Sequence, residues 1–144
     1  MSIPFKRTTC ACAECVQCCK DQPGCLIPGD ALRIAEFLNS PVHHLLWASP
    51  GAKAMNLSTG EIISIPTITP RMKDGRCVFL DENDRCKIHP VAPFGCAYAD
   101  THMSREYGQK LSLWAMRLVK DSKDYQEFRA TLPRATSYKP RSAL

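Results

Sequence analysis

No run in this chain approaches the roughly 18 consecutive apolar residues that a membrane-spanning helix needs, which excludes such a span. The opening stretch, MSIPFKRTTC, carries basic residues but no apolar segment of the secretory-leader kind, so the expected location is cytoplasmic. Glycine is sparse, at 7 of 144 residues, and none of it forms a phosphate-cradling loop. A complete Ser/His/Asp set is missing, as are internal repeats and low-complexity tracts. No array of interleaved aromatic and basic residues offers nucleic acid a stacking platform. What remains is the profile of one soluble domain, residues 1–144, able to bury about 68–70% of its unfolded surface. A chain of that size does not need covalent staples merely because it is small.

Charge of one sign is also scarce over most of the length. Residues 1–104 carry ten Lys/Arg against ten Asp/Glu, and residues 105–144 carry nine against four, so the net +5 arises wholly in the last forty. Thiolates bound to a metal would pull that total down. A nucleic-acid partner is therefore not expected, although Arg117, Lys120 and Lys123 form a basic helical stretch that would have to serve one.

Cysteine, by contrast, is abundant. There are nine, an odd number that a complete internal disulfide set cannot use, and a reducing compartment turns dense thiols toward metal or redox chemistry. Six of them fall within residues 10–25, CACAECVQCCKDQPGC. Cys12, Cys15 and Cys18 stand in C-x2-C-x2-C register, which lets the backbone turn so that neighbouring sulfurs share one centre. Cys19 follows directly and, since adjacent side chains diverge, can ligate, bridge or stand by. Cys25 comes six residues later, and Cys10 lies outside the register, a small buried hydrophobe by default.

Downstream, RCVFL and RCKI flank Asp81-Glu82-Asn83-Asp84 and predict a hairpin. With a four-residue loop Phe79 would face Cys86, and Cys77 and Cys86 would be diagonal neighbours roughly 7–8 Å apart, sharing one face. Cys96, beyond the turns at Pro90 and Pro93, would fold back as the third thiol. Eight candidate ligands result: Cys12, Cys15, Cys18, Cys19, Cys25, Cys77, Cys86 and Cys96. They cannot be divided into two four-ligand sites without drawing on both groups. Thiolates alone suit zinc and iron–sulfur clusters alike. The C-x2-C-x2-C run favours a 4Fe–4S-type cluster over zinc.

Elsewhere the periodicity predicts a helix beginning at Pro28 with Ala31, Ile34, Ala35 and Leu38 on one face, ended by Asn39-Ser40-Pro41. A short second helix from Pro41, a loop at Pro50-Gly51 and an edge strand over 61–68 follow. From about residue 103 a stripe of Tyr107, Leu111, Trp114 and Leu118 predicts a long helix. It breaks near Asp121-Ser122 and continues through Tyr125, Phe128 and Leu132, and the last ten residues should fray. The expected fold is α+β and mostly helical: a small, irregular, metal-stabilised domain with one β-hairpin. Residues 10–100 would form the cysteine-cluster region and 101–135 the C-terminal helical segment.

These motifs together resemble the YkgJ-type cysteine-cluster family. Its CxxCxxCC signature stands here as Cys12, Cys15, Cys18 and Cys19, a Leu-x-Pro-x-Asp helix start as Leu26, Pro28 and Asp30, and its later segment as CVFLDENDRCKIHPVAPFGC, Cys77 to Cys96. The resemblance implies zinc or iron chelation and supplies no reaction. Ala92 departs from the arginine usual before the last proline. Through its cysteine motif the family resembles a much longer flagellin lysine methylase, so a cluster-dependent enzyme of redox or methyl-transfer type is the alternative. His89 and His102 flank Cys86 and Cys96 but are read as structural, like His43 and His44 on their short helix.

Overall fold

A computed structural model of the protein describes residues 3–8, 17, 23–55, 58–99 and 102–135. The first helix, α1 (Asp30–Leu38), begins two residues later than its proline predicts. Gly29 precedes it at φ 93°, a left-handed conformation that glycine adopts without a Cβ penalty, and its turn carries Pro28 outside the helix. The far end agrees with expectation. Asn39 closes it at φ 51°, its N–H bonded to the last-turn carbonyls of Ala35 and Glu36.

Only a three-residue 3-10 turn, His43–Leu45, occupies the place of the expected second helix. The chain then enters β1 (Leu46–Met55), which pairs antiparallel with β2 (Ile62–Pro70). Pro50-Gly51, expected as a loop, lies inside β1, where the register shifts between Ser49 and Ala52. Pro66 of β2 falls opposite this irregularity, between the partners of those two residues. A proline lacks the N–H a regular ladder would require, so the two strand breakers share one bulge. On the outer side of β1, Ala48 donates to the Pro133 carbonyl at 2.8 Å and accepts from Ala135 N–H at 2.9 Å. Residues 133–135 are thus held beside the strand, and of the last ten residues, expected to fray, Ala135 does not; residues 136–144 lie outside the described set.

A second hairpin, β3 (Met72–Lys73) with β4 (Arg76–Cys77), turns through Asp74 and Gly75 at φ 54° and 77°. Asp-Gly is the dipeptide that a two-residue turn with both φ positive prefers. Beyond it the predicted 77–88 ribbon takes another form. Leu80 N–H bonds to the Cys77 carbonyl at 3.1 Å, so the chain turns over 77–80 instead of running extended. Leu80, not Phe79, then pairs with Cys86, and Asp81 N–H reaches the Arg85 carbonyl at 2.9 Å around a three-residue loop. Asp81 organises that loop, its Oδ1 accepting from the N–H groups of Asn83 and Arg85 at 2.8 and 3.0 Å. These bonds hold its carboxyl below the ordinary carboxylate range. The acidic run is a turn, as its sequence suggests.

A 3-10 turn (His89–Val91) leads into the single-turn helix α2 (Phe94–Ala97). The C-terminal part is α3 (Arg105–Asp121) and α4 (Lys123–Ala130), broken at Ser122 as predicted. Ser104 and Ser122 cap them, each hydroxyl accepting the N–H three residues on. Among the described residues helix outnumbers strand, and the class is α+β with two antiparallel hairpins, neither of them at the expected 77–88 position. Among the described residues no helix is long and apolar enough to cross a membrane.

The core gathers Leu26, Ile27, Ile34, Leu46, Ile68, Ile88 and Val119, each at most 1% exposed. Leu111, Ala115, Met116 and Val119 form the buried face of α3, while Tyr107, Trp114 and Leu118 sit at its margin. The predicted stripe is therefore rotated. Phe5 of the N-terminal arm and Phe94 of α2 account for the margin by packing on Trp114.

Candidate metal centre

The candidate ligands separate into those the structure describes and those it does not. Cys12, Cys15, Cys18 and Cys19 lie outside the described residues, as does Cys10. Cys25, Cys77, Cys86 and Cys96 are described. Among the described residues no three His, Cys, Asp or Glu side chains come together as a metal-holding group, so these four do not form a centre by themselves.

Cys96 sits on α2, half-buried, and its Sγ accepts a hydrogen bond from Gly24 N–H at 3.1 Å. In return Gly95 N–H donates to the Cys25 carbonyl at 3.0 Å. The Gly24-Cys25 and Gly95-Cys96 dipeptides lie against each other this closely because neither glycine has a side chain. A Cβ on Gly24 would stand 2.2 Å from the Gly95 carbonyl carbon, and one on Gly95 2.6 Å from Cys25 N. Space, not φ, requires glycine at both positions.

Asp30 fixes this contact from below. Its Oδ2 accepts from Ile27 N–H at 2.9 Å and from Phe94 N–H at 3.0 Å, so one carboxylate ties the start of α1 to the start of α2. Oδ1 pairs with Arg33. Burial pushes the Asp30 carboxyl above its ordinary range, opposed by the two backbone bonds and by Arg33. From the other side Tyr125 of α4 donates its O–H to the Leu26 carbonyl at 2.8 Å and accepts from Ile68 N–H at 2.7 Å. Burial drives this phenol well above its ordinary pKa, and the neighbouring Cys25 adds to the shift. The residue after Cys25 is thereby stapled to both β2 and α4.

The N-terminal arm reaches the same place. Thr8 N–H donates to the Ala97 carbonyl at 2.8 Å, one residue beyond Cys96. The chain segments on either side of residues 9–22 therefore both end on α2, one through Thr8 and the other through Gly24.

Cys77 and Cys86 are placed differently. Cys77 closes β4 opposite Met72, is 7% exposed and belongs to the apolar core. Cys86, half-buried, pairs with Leu80 and packs against that core. The diagonal pairing predicted for them depends on a continuous ladder, which the 77–80 turn interrupts. Among the histidines, His43 packs edge-on against Phe128 at 4.9 Å, and the backbone carbonyl of exposed His89 accepts from Arg7. His44 and His102 are exposed.

Sequence reasoning missed the glycine pair, the double bond at Asp30, the Tyr125 staple and the arm. Only the glycines left a visible signal, a Gly-Cys dipeptide repeated at 24–25 and 95–96.

With cysteine segments from both parts of the chain meeting on α2, comparison with known families is decisive for the class. Residues 11–113 match the CxxCxxCC family model, described as "Putative zinc- or iron-chelating domain", and the chain belongs to that family. No curated protein and no solved structure matches it significantly.

Proposed function

We propose that the protein is a thiolate metal-binding protein whose centre is built about Cys96, with Cys12, Cys15, Cys18 and Cys19 delivered from the amino-terminal segment. Cys25, on the segment bonded to that helix, is the next candidate ligand, Cys86 precedes the 3-10 turn that leads into it, and Cys77 is the candidate most engaged in packing. The observation that carries this reading is the pair of bonds on α2, Thr8 N–H to the Ala97 carbonyl and Gly24 N–H to Cys96 Sγ. Cys12 lies four residues from Thr8 and Cys19 five from Gly24, so the chain can carry them no farther than about 14 and 18 Å from those anchors.

The donor chemistry fits the group. A backbone N–H directed at sulfur stabilises a thiolate over a thiol, and Cys96 receives such a bond. A bound zinc ion would supply a crosslink between distant parts of the chain, and a 4Fe–4S-type cluster would add one-electron capacity. The cysteine spacing favours the cluster. Within the chain, the glycine contact positions Cys25 and Cys96, Asp30 holds their two segments together, and Tyr125 fixes the backbone beyond Cys25.

Purification without oxygen, followed by metal and acid-labile sulfide analysis, tests the reading. Brown protein with iron and sulfide in equal amounts identifies the cluster, and colourless protein with stoichiometric zinc identifies the ion. Cys15→Ser and Cys86→Ser should each abolish stoichiometric loading, whereas Cys10→Ser should leave it intact. Unchanged metal content in both of the first two variants overturns the shared centre. The nucleic-acid alternative rests on exposed Arg117, Lys120 and Lys123, of which Lys123 already faces Glu127 at 3.7 Å.

A further inference from the structure

We infer that residues 3–8 form a latch whose docking is energetically coupled to loading of the metal centre; the inference rests on the metal-binding reading. The arm alternates, with Ile3 and Phe5 turned inward and Pro4 and Lys6 outward. Phe5 sits edge-on to two rings of α3, 5.8 Å from Tyr107 and 5.7 Å from Trp114. Trp114 in turn packs on Phe94 at 5.4 Å, and Phe94 stacks on Tyr98 at 5.0 Å. Phe94 is the first residue of the helix that carries Cys96.

Two polar anchors follow. The Arg7 guanidinium donates to the His89 carbonyl at 2.8 Å and to the Pro90 carbonyl at 3.4 Å, on the turn that follows Cys86. Thr8 N–H bonds to the Ala97 carbonyl. Each anchor falls within a few residues of Cys86 or Cys96, and the arm runs directly into the CxxCxxCC segment. Docking fixes the chain at both Thr8 and Gly24 on one helical turn. Release of the arm removes the first of these fixed points, and the cysteines between them in sequence must be ordered from a larger conformational space.

Linkage makes the effect reciprocal: if docking favours metal binding, metal binding favours docking by the same factor. A short arm held by one aromatic side chain on two rings and by three hydrogen bonds is marginal by itself, the condition under which a bound ion can shift it measurably.

The experiment uses the full chain and Zn2+ alone, or the iron-loaded protein if metal analysis finds iron. Competition against a chromogenic chelator measures retention in wild type, Phe5→Ala, Phe5→Leu and Arg7→Ala, and trypsin reports arm docking through cleavage after Lys6. Phe5→Ala and Arg7→Ala should weaken metal retention roughly tenfold, Phe5→Leu should recover most of it, and metal should slow cleavage after Lys6 in wild type by a similar factor. Arg7 is exposed, so its variant decides the matter if Phe5→Ala fails to fold. Equal retention in all variants, with cleavage indifferent to metal, overturns the latch and leaves the metal reading standing. A wild-type chain that takes up neither zinc nor iron overturns both.

Discussion

Gly24 and Gly95 matter because of what they exclude. Alanine at Gly24 would place its Cβ 2.2 Å from backbone that has no flexible end to move aside, so the two Gly-Cys segments must separate. Gly24→Ala should cost about 1–3 kcal/mol in a urea titration, as overpacking does, and should reduce metal content in the same preparation. Tyr125 acts through its oxygen. Tyr125→Phe keeps the ring but removes the partner of Ile68 N–H and of the Leu26 carbonyl, both buried, and should cost about 1–3 kcal/mol at neutral pH. The pH dependence has a definite sign. Because the folded phenol titrates well above its ordinary value of 10.0, the folded state holds this proton more tightly than the unfolded chain. The stabilisation is complete below about pH 10 and is lost as pH rises through the folded value. Unfolding curves taken across the alkaline range should show that slope in wild type and lose it in Tyr125→Phe.

At the scale of elements, Asp30 joins α1 to α2 by one carboxylate. Asp30→Ala leaves the buried N–H groups of Ile27 and Phe94 without that acceptor and should destabilise by about 2–5 kcal/mol, measured by thermal or urea unfolding. The sequence showed the aspartate and its helix but not its second partner, 64 residues away. That pattern is general here. The C-terminal end of α1, the break between α3 and α4 and the course of β2 were legible because Asn39, Ser122 and alternating apolar residues act locally. β1 was not, because Pro50-Gly51 reads as a loop unless Pro66 is known to lie opposite it. The Cys77 to Cys86 register failed for a related reason. Face assignment by counting assumes an extended chain, and the turn at Cys77–Leu80 breaks the count before Cys86 is reached. The Asp74-Gly75 hairpin was readable and went unread beside the more conspicuous cysteines.

For the whole molecule, the family was legible from its cysteine motifs, whereas the contact of the Cys25 segment with Cys96 needed tertiary contacts that no local pattern encodes. A metal crosslink between distant segments is worth a large share of a domain's stability: structural zinc contributes roughly 10–16 kcal/mol in finger peptides, against totals of about 5–15 kcal/mol for typical domains. Chelation should therefore lower the thermal midpoint sharply or abolish the cooperative transition followed by circular dichroism. Metal-free protein that melts at the wild-type temperature would restrict the centre to the amino-terminal segment.

One helical turn receives both Thr8 and Gly24, through Ala97 and Cys96. Thr8 and Gly24, the ends of the connection that carries the CxxCxxCC cysteines, are thus fixed on adjacent residues of α2. Closure entropy rises only slowly with length, by about 0.6 kcal/mol per doubling, so a connection between two such fixed points can be lengthened or exchanged at little cost to the rest of the chain. On the proposed function, its cysteine spacing is then free to vary with the inorganic cargo while the two α2 attachments stay as they are.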